Sequence, residues 1–213
     1  RVLNEVLAHN PVPQADQSLV KQFERIGIGA GKSLPTDEAT LEAMRRAVVS
    51  GQALIKSEMA PSKDTVNGWN KVDLKLGVYG DDWLLRGLTA VRSLQANVPD
   101  EAVYIYGYLD SANTPLTGKN RYELTFPKGQ LPPVDGFWSI TLYQASDNMW
   151  HRNEIGRYAI GDRTPGLKYG ADGSLTLHIQ HEKPKGEAAA NWLPAPKDGF
   201  LLVLRAYIPR TPL

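Results

Sequence analysis

The chain contains no cysteine. That absence excludes disulfides, thiolate metal sites and a cysteine nucleophile together, and it fits either side of a membrane. A charge excess is missing too: 24 Lys and Arg stand against 23 Asp and Glu, for a net charge of +1, and the histidines number only 4. So near a balance offers no basic stripe for nucleic acid and no acidic face for a cationic partner. No stretch approaches the roughly 20 consecutive apolar residues of a membrane-spanning helix, and there are no internal repeats or low-complexity tracts. What is present is a globular composition, 42% hydrophobic and 22% charged over 213 residues. That is enough to bury a core and too apolar for disorder. No methionine opens the chain; Arg1-Val2-Leu3 runs straight into a helical pattern. The expectation is a mature or truncated product, in which the lack of a signal peptide at this start carries no meaning.

Three segments organise the chain. Residues 1–60 are predicted to be a helical subdomain. Val2, Leu3, Val6 and Leu7 form a short amphipathic turn or two, ended by Asn10-Pro11-Val12-Pro13, and Asp16 or Ser18 caps a second helix with Leu19, Val20, Phe23 and Ile26 on one face. In the third, Thr36 is the expected N-cap, and Leu41, Met44, Ala47/Val48, Gly51 and Leu54/Ile55 hold the helical period. Such a set is too small to stand alone and is expected to pack on something else. Residues 61–98 read as a polar connector to Gly80, then a helix packed on the β domain, capped by Asp81 or Asp82 and carrying Leu84, Leu88, Val91 and Leu94.

From residue 99 to 213 the period becomes two. Val103, Ile105 and Leu109 face one way, and Tyr104, Tyr106 and Tyr108 the other. Tyr122, Leu124 and Phe126 alternate with polar residues; so do Trp138, Ile140 and Leu142, and then Leu175, Leu177 and Ile179 after the Asp172-Gly173-Ser174 turn. Pro127, Gly129, Pro132 and Pro133 forbid regular pairing and force a turn or crossing between the first two of these runs. Arg157-Tyr158-Ala159-Ile160 is a further short strand, and Phe200–Tyr207, apolar on both faces at its start, reads as a central strand. Six or more short strands separated by turn signals predict a mainly β fold, a sandwich, jelly roll or barrel.

Chemical motifs are sparse. Gly27–Ser33 has a phosphate-loop flavour, but a Walker loop needs four residues between its first glycine and Gly-Lys-Ser, a position that Ile26 occupies, and a preceding strand instead of a helix. A helix C-cap and turn is the better reading. His178 and His181, three apart on a strand, point to opposite faces and are read as solvent-facing, with no metal site. No Gly-x-Ser-x-Gly elbow exists, and no serine is placed beside His9, His151, His178 or His181. The tyrosine row 104/106/108 is read as a face covered by the helix at 82–96, with a stacking platform as the alternative. Trp150-His151-Arg152 and Arg157–Arg163 gather aromatic, basic and acidic groups in one long loop and its flank, where sites tend to lie. Against that stands a solvated loop held by Arg–carboxylate pairs. Arg205 shares a strand face with Leu201, Val203 and Tyr207, so it is predicted to be partly buried and to need a carboxylate or carbonyl partner.

Tyr122–Phe126, Pro132-Pro133, Phe137–Tyr143, Arg157-Tyr158, Asp172–Leu175, Asn191-Trp192-Leu193-Pro194-Ala195-Pro196 and Arg205–Pro209 follow one another in an order that resembles the bacterial domain-of-unknown-function family 1214. The resemblance is dense over about residues 100–210. It implies a jelly-roll-like antiparallel β-sandwich preceded by a small helical subdomain, and a periplasmic or extracellular location. It also implies a usual N-terminal β domain, of the type called domain of unknown function 1254, that this chain lacks. It carries no established reaction.

The leading expectation is therefore a non-catalytic binding or interaction module for a glycan-like or small polar ligand, with no cofactor, metal, nucleic acid or membrane span. Candidate ligand contacts are Trp150, Tyr158, Asn191 and Trp192; Trp138 and Arg205 are expected to be structural. The rival expectation is a hydrolase or lyase using His151, Arg157, Asp162 and Arg163 as acid–base or anion-clamping groups, which requires these four to converge on one cleft. A third is a structural role, completing an interface with the absent β domain or a second subunit.

Overall fold

A computed structural model of the chain describes residues 1–58, 65–70, 75–93 and 96–210. Leu94 and the connector positions 61–64 and 71–74 lie outside the described residues. The chain divides into two compact units, Arg1–Met59 and Ala60–Leu213.

The first unit holds α1 (Val2–His9), α2 (Gln17–Phe23) and α3 (Glu38–Glu58). The cap of α3 falls one residue later than Thr36: the Asp37 carboxylate accepts the Thr40 N–H at 2.8 Å. No side-chain hydrogen bond caps α2 at Asp16. Gly27, at φ +73°, is the left-handed cap that ends the helical run, in place of a phosphate loop. Asn4 pins this turn by donating to the Gly27 and Lys32 carbonyls and accepting the Gly29 N–H. The apolar faces expected here are not buried. Val2, Leu3, Val6, Val48 and Leu54 are exposed, and no hydrophobic side chain among the described residues of this unit is buried.

The second unit begins with a feature that the connector reading missed. β1 (Thr65–Val66) and β2 (Trp69–Asn70) form a hairpin on Asn67-Gly68, both at positive φ, the arrangement a two-residue Asn-Gly turn adopts. Trp69 lies against Gly107, where an added Cβ would come within 3.0 Å of the indole. The helix α4 (Trp83–Arg92) starts as expected, the Asp82 carboxylate accepting the Leu85 N–H at 2.9 Å, but ends before residue 96, and Val91 is exposed.

Then follow β3 (Ala102–Gly107), β4 (Tyr122–Phe126), β5 (Trp138–Gln144), β6 (Ala159–Gly161), β7 (Leu175–Gln180), β8 (Trp192–Pro194) and β9 (Phe200–Tyr207). They make a six-stranded sheet of order β1-β2-β3-β9-β5-β6 and a three-stranded sheet of order β4-β7-β8. All pairs are antiparallel except β7 with β8. The chain is thus mainly β with some helices. β9 is central, as its two apolar faces predict. The proline-rich segment after β4 is a crossing, because β4 and β5 belong to different sheets. Trp138, Ile140, Leu142, Ile160 and Leu202 from the larger sheet and Leu175, Leu177, Ile179 and Leu193 from the smaller form one buried core. Aromatic pairs span the layers: Phe126 with Trp138 at 5.1 Å, and Tyr122 with Phe200 at 5.8 Å.

Candidate functional site

Alternation along β9 sends Leu202, Leu204 and Ala206 inward, leaving Leu201, Val203, Arg205 and Tyr207 on the outer face of the larger sheet. The register sets Tyr104, Arg205, Ser139 and Gly161 in one transverse row there, and Tyr106, Val203, Thr141 and Ala159 in the next. A cation in this apolar setting needs hydrogen-bond acceptors. Those found differ from the expected carboxylate or carbonyl: the half-buried Arg205 donates to the hydroxyls of Thr141 at 2.7 Å and Tyr143 at 2.9 Å. Its guanidinium lies 5.7 Å from the Tyr143 ring and 5.9 Å from that of Tyr104. Burial, with the Tyr207 hydroxyl adding to it, pushes the Tyr104 phenol up to about 12. The hydroxyls of the tyrosine row are tied to the segment after α4, Tyr106 to Ser93 at 2.9 Å and Tyr104 to Asn97 at 3.4 Å.

The long loop between β5 and β6 arches over the edge of the same face. Asn153 organises it, donating to the His151 and Arg157 carbonyls and accepting the Arg157 N–H. Arg157 Nη1 donates to the carbonyls of Ala190 and Trp192, each at 2.9 Å, stapling the loop to the start of β8. The Trp150 ring stacks on Tyr158 at 5.2 Å. Beyond β6 a tight turn, closed by bonds between Gly161 and Thr164, carries Arg163, whose guanidinium sits 4.2 Å over the Phe137 ring. Instead of the Arg–carboxylate pairs expected of a solvated loop, carbonyls and aromatic faces hold these arginines.

Together these elements enclose an open cleft of about 680 Å3, lined by Thr141, Tyr143, Trp150, Tyr158, Arg157, Arg163 and Arg205 with Ile155, Pro165 and their neighbours. The lining holds three arginines and no aspartate or glutamate. The arrangement presents guanidinium and hydroxyl donors beside flat aromatic and apolar surface, which is binding chemistry.

Of the residues singled out in the sequence, Trp150, Tyr158, Arg157, Arg163 and Arg205 therefore meet. Four others do not. The Asp162 carboxylate accepts the Trp138 N–H at 3.1 Å and fastens the start of β5. The His151 ring lies 6.4 Å from that of His181; burial, and secondarily the His181 charge, hold it below the usual histidine range. Asn191 and Trp192 are buried: Asn191 bridges Lys168 and Thr176, and the Trp192 indole donates to the Gln180 carbonyl at 2.9 Å. Trp138 is buried in the core. His178 and His181 are not solvent-facing but half-buried and partnered, His178 with Glu123 across the strand pair at 3.4 Å and His181 with the Ala195 carbonyl at 2.9 Å. Among the described residues no three His, Cys, Asp or Glu side chains cluster to hold a metal. The wall residues Thr141, Tyr143 and Ile155 were missed in the sequence; only the strand register, invisible there, aligns Thr141 and Tyr143 with Arg205.

In comparisons with known proteins, the VPA0106 protein of Vibrio parahaemolyticus matches with a TM-score of 0.66 and 21% identity, over 97% of this chain and 50% of its own. A putative uncharacterized protein from Burkholderia cenocepacia matches with a TM-score of 0.38 and 14% identity, over 92% of this chain and 44% of its own. The chain thus spans about half the length of these solved structures, and the first likeness is one of fold. No curated protein matches it. Residues 101–211, the segment that builds both sheets apart from the β1–β2 hairpin, match the family described as protein of unknown function (DUF1214), and the chain belongs to that family.

Proposed function

We propose that the chain is a binding module for a small polar, glycan-like ligand, held in the cleft on the outer face of the larger sheet. The observation that carries this reading is the Trp150–Tyr158 stack beside a floor of hydrogen-bonding groups from Thr141, Tyr143 and Arg205. A sugar ring presents an apolar face that suits a flat aromatic and hydroxyls that suit fixed donors and acceptors. Binding is favoured over hydrolase or lyase chemistry because the groups that would serve as acid and base, His151 and Asp162, are not among the lining residues, and the Asp162 carboxylate accepts the Trp138 N–H. Glycan-array screening followed by calorimetry tests it: a ligand that binds the protein and is lost with Trp150→Ala supports the reading. No ligand at millimolar concentration, or binding indifferent to Trp150→Ala, overturns it.

A structural role as part of a longer assembly is the second reading, and it rests on other residues. Val2, Leu3, Val6, Val48 and Leu54 leave apolar surface exposed on the helical unit, and the Vibrio protein's chain is about twice the length this one covers. A jelly-roll-like description of the two layers and an extracytoplasmic location go with these proposals. Cell fractionation checks the location; recovery in the cytoplasm alone rejects it.

A further inference from the structure

The lining of the cleft has a charge problem that the fold leaves unsolved. Arg157 and Arg163 bracket the two ends of the edge strand β6, and Arg205 stands two strands in on the same face. Each is held in place by neutral groups: Arg157 by two carbonyls, Arg205 by two hydroxyls between two tyrosine rings, Arg163 by the face of Phe137. The nearby carboxylates do not neutralise them. Asp162 is turned to the Trp138 N–H, and neither it nor Glu154 is among the lining residues. Arg157 and Arg205, half-buried, and Arg163, exposed, thus set three like charges on one open cleft, an arrangement that attracts an anion. A guanidinium has five N–H donors in a planar fork; Arg205 commits two bonds and Arg157 two from a single nitrogen, so donors remain on all three. Such forks match the paired oxygens of a carboxylate. The other end of the cleft, with Trp150, Ile155, Tyr158 and Pro165, is flat and apolar.

Resting on the binding reading above, we propose that the ligand is a small organic carboxylate, drawn in by the arginines that line the cleft, with its ring face on the Trp150–Tyr158 stack. Two sources supply that chemistry, an acidic sugar and an aromatic acid. The Phe137–Tyr207 stack at 4.4 Å ties Arg163 to the same strand that carries Arg205, so the two guanidiniums are positioned by one rigid sheet.

The test titrates the whole chain with a galacturonate trimer and with benzoate, each beside its neutral counterpart, the trimer methyl ester and benzamide. Calorimetry gives the affinity, and the arginine Nε–H resonances report the contact. The expected result is binding of at least one acid, at least tenfold weaker for its neutral counterpart and for Arg163→Met, with shifts in the Arg163 and Arg205 signals and weakening as salt is raised. Arg163 is exposed and its replacement leaves the core intact; Arg205→Met gives a second loss of tenfold or more if it folds, as judged by its circular dichroism. The acid that binds names the source. Neutral counterparts binding as tightly as the acids, with contacts still in the cleft, overturn the carboxylate inference while the binding module stands. Failure of both acids at 10-fold molar excess in the millimolar range overturns it also, leaving the glycan-array result to decide the broader reading.

Discussion

Two ionisable side chains report on how the larger sheet and its loop are packed. Tyr104 is held protonated by burial and by the Tyr207 hydroxyl, its pKa pushed up to about 12, above the ordinary value of about 10. A group whose folded pKa is raised adds stability that is fully present below its unfolded pKa and disappears as pH climbs through the folded one. In an alkaline titration followed by phenolate absorbance, a step should appear near pH 12, and Tyr104→Phe should remove it. His151 behaves in the opposite sense, lowered first by desolvation and then by the His181 charge. Its contribution is complete above about pH 6.5, the unfolded value, and is lost as pH falls through the folded value below it. Proton NMR of the imidazole signals should place His151 below that ordinary value. His181→Gln should raise it part of the way, because burial, the larger cause, remains. A full return to the ordinary value would show that the neighbour and not burial governs it.

Among the described elements, the loop before β4 and the one before β9 approach closely. Gly118 N–H donates to the Asp198 carbonyl at 3.0 Å, and Phe200 N–H to that of Leu116 at 3.1 Å. A Cβ at Gly118 would stand 1.6 Å from the Pro196 carbonyl oxygen, a backbone atom that no rotamer change removes. Gly118→Ala should therefore cost on the order of 3 kcal/mol in a urea melt, since the two backbones must part. An effect below 1 kcal/mol would mean that this loop moves freely. The hairpin β1–β2 depends on local chemistry in the same way: Asn67-Gly68 was readable as a turn signal, but the two-residue strands flanking it are too short to show a period.

At the scale of the whole molecule, the two units have different means of stability. The β unit has one core shared by both sheets, in which Leu177 is completely buried. Leu177→Ala should lower its unfolding free energy by about 2–5 kcal/mol, read from denaturant melts of the tryptophan fluorescence. The helical unit buries Asn4 but no hydrophobic side chain among its described residues. A peptide of residues 1–59 should accordingly melt without a sharp transition in circular dichroism, because isolated helices draw little stability from propensity alone. A cooperative melt would reveal packing that these exposures do not account for.

How much of this was legible follows from the range over which each signal acts. Alternation at Tyr122–Phe126, Trp138–Leu142 and Leu175–Ile179, the two-faced apolar start of β9, and the Asp82 cap of α4 are local patterns, and the chain alone determined them. The aromatic–arginine content of the 150–163 stretch was visible in the same way. Which of those groups meet was not, because Asp162 and Arg163 are neighbours in the chain and part company at a turn whose geometry Gly161 and Thr164 impose. Buried Asn191 and Trp192 look in sequence like any exposed polar–aromatic pair; the parallel docking of β8 on β7 is what encloses them. Only tertiary structure sets strand register, and it is register that puts Arg205 beside Thr141, Tyr143 and Tyr104, with no acid paired to it among the described residues.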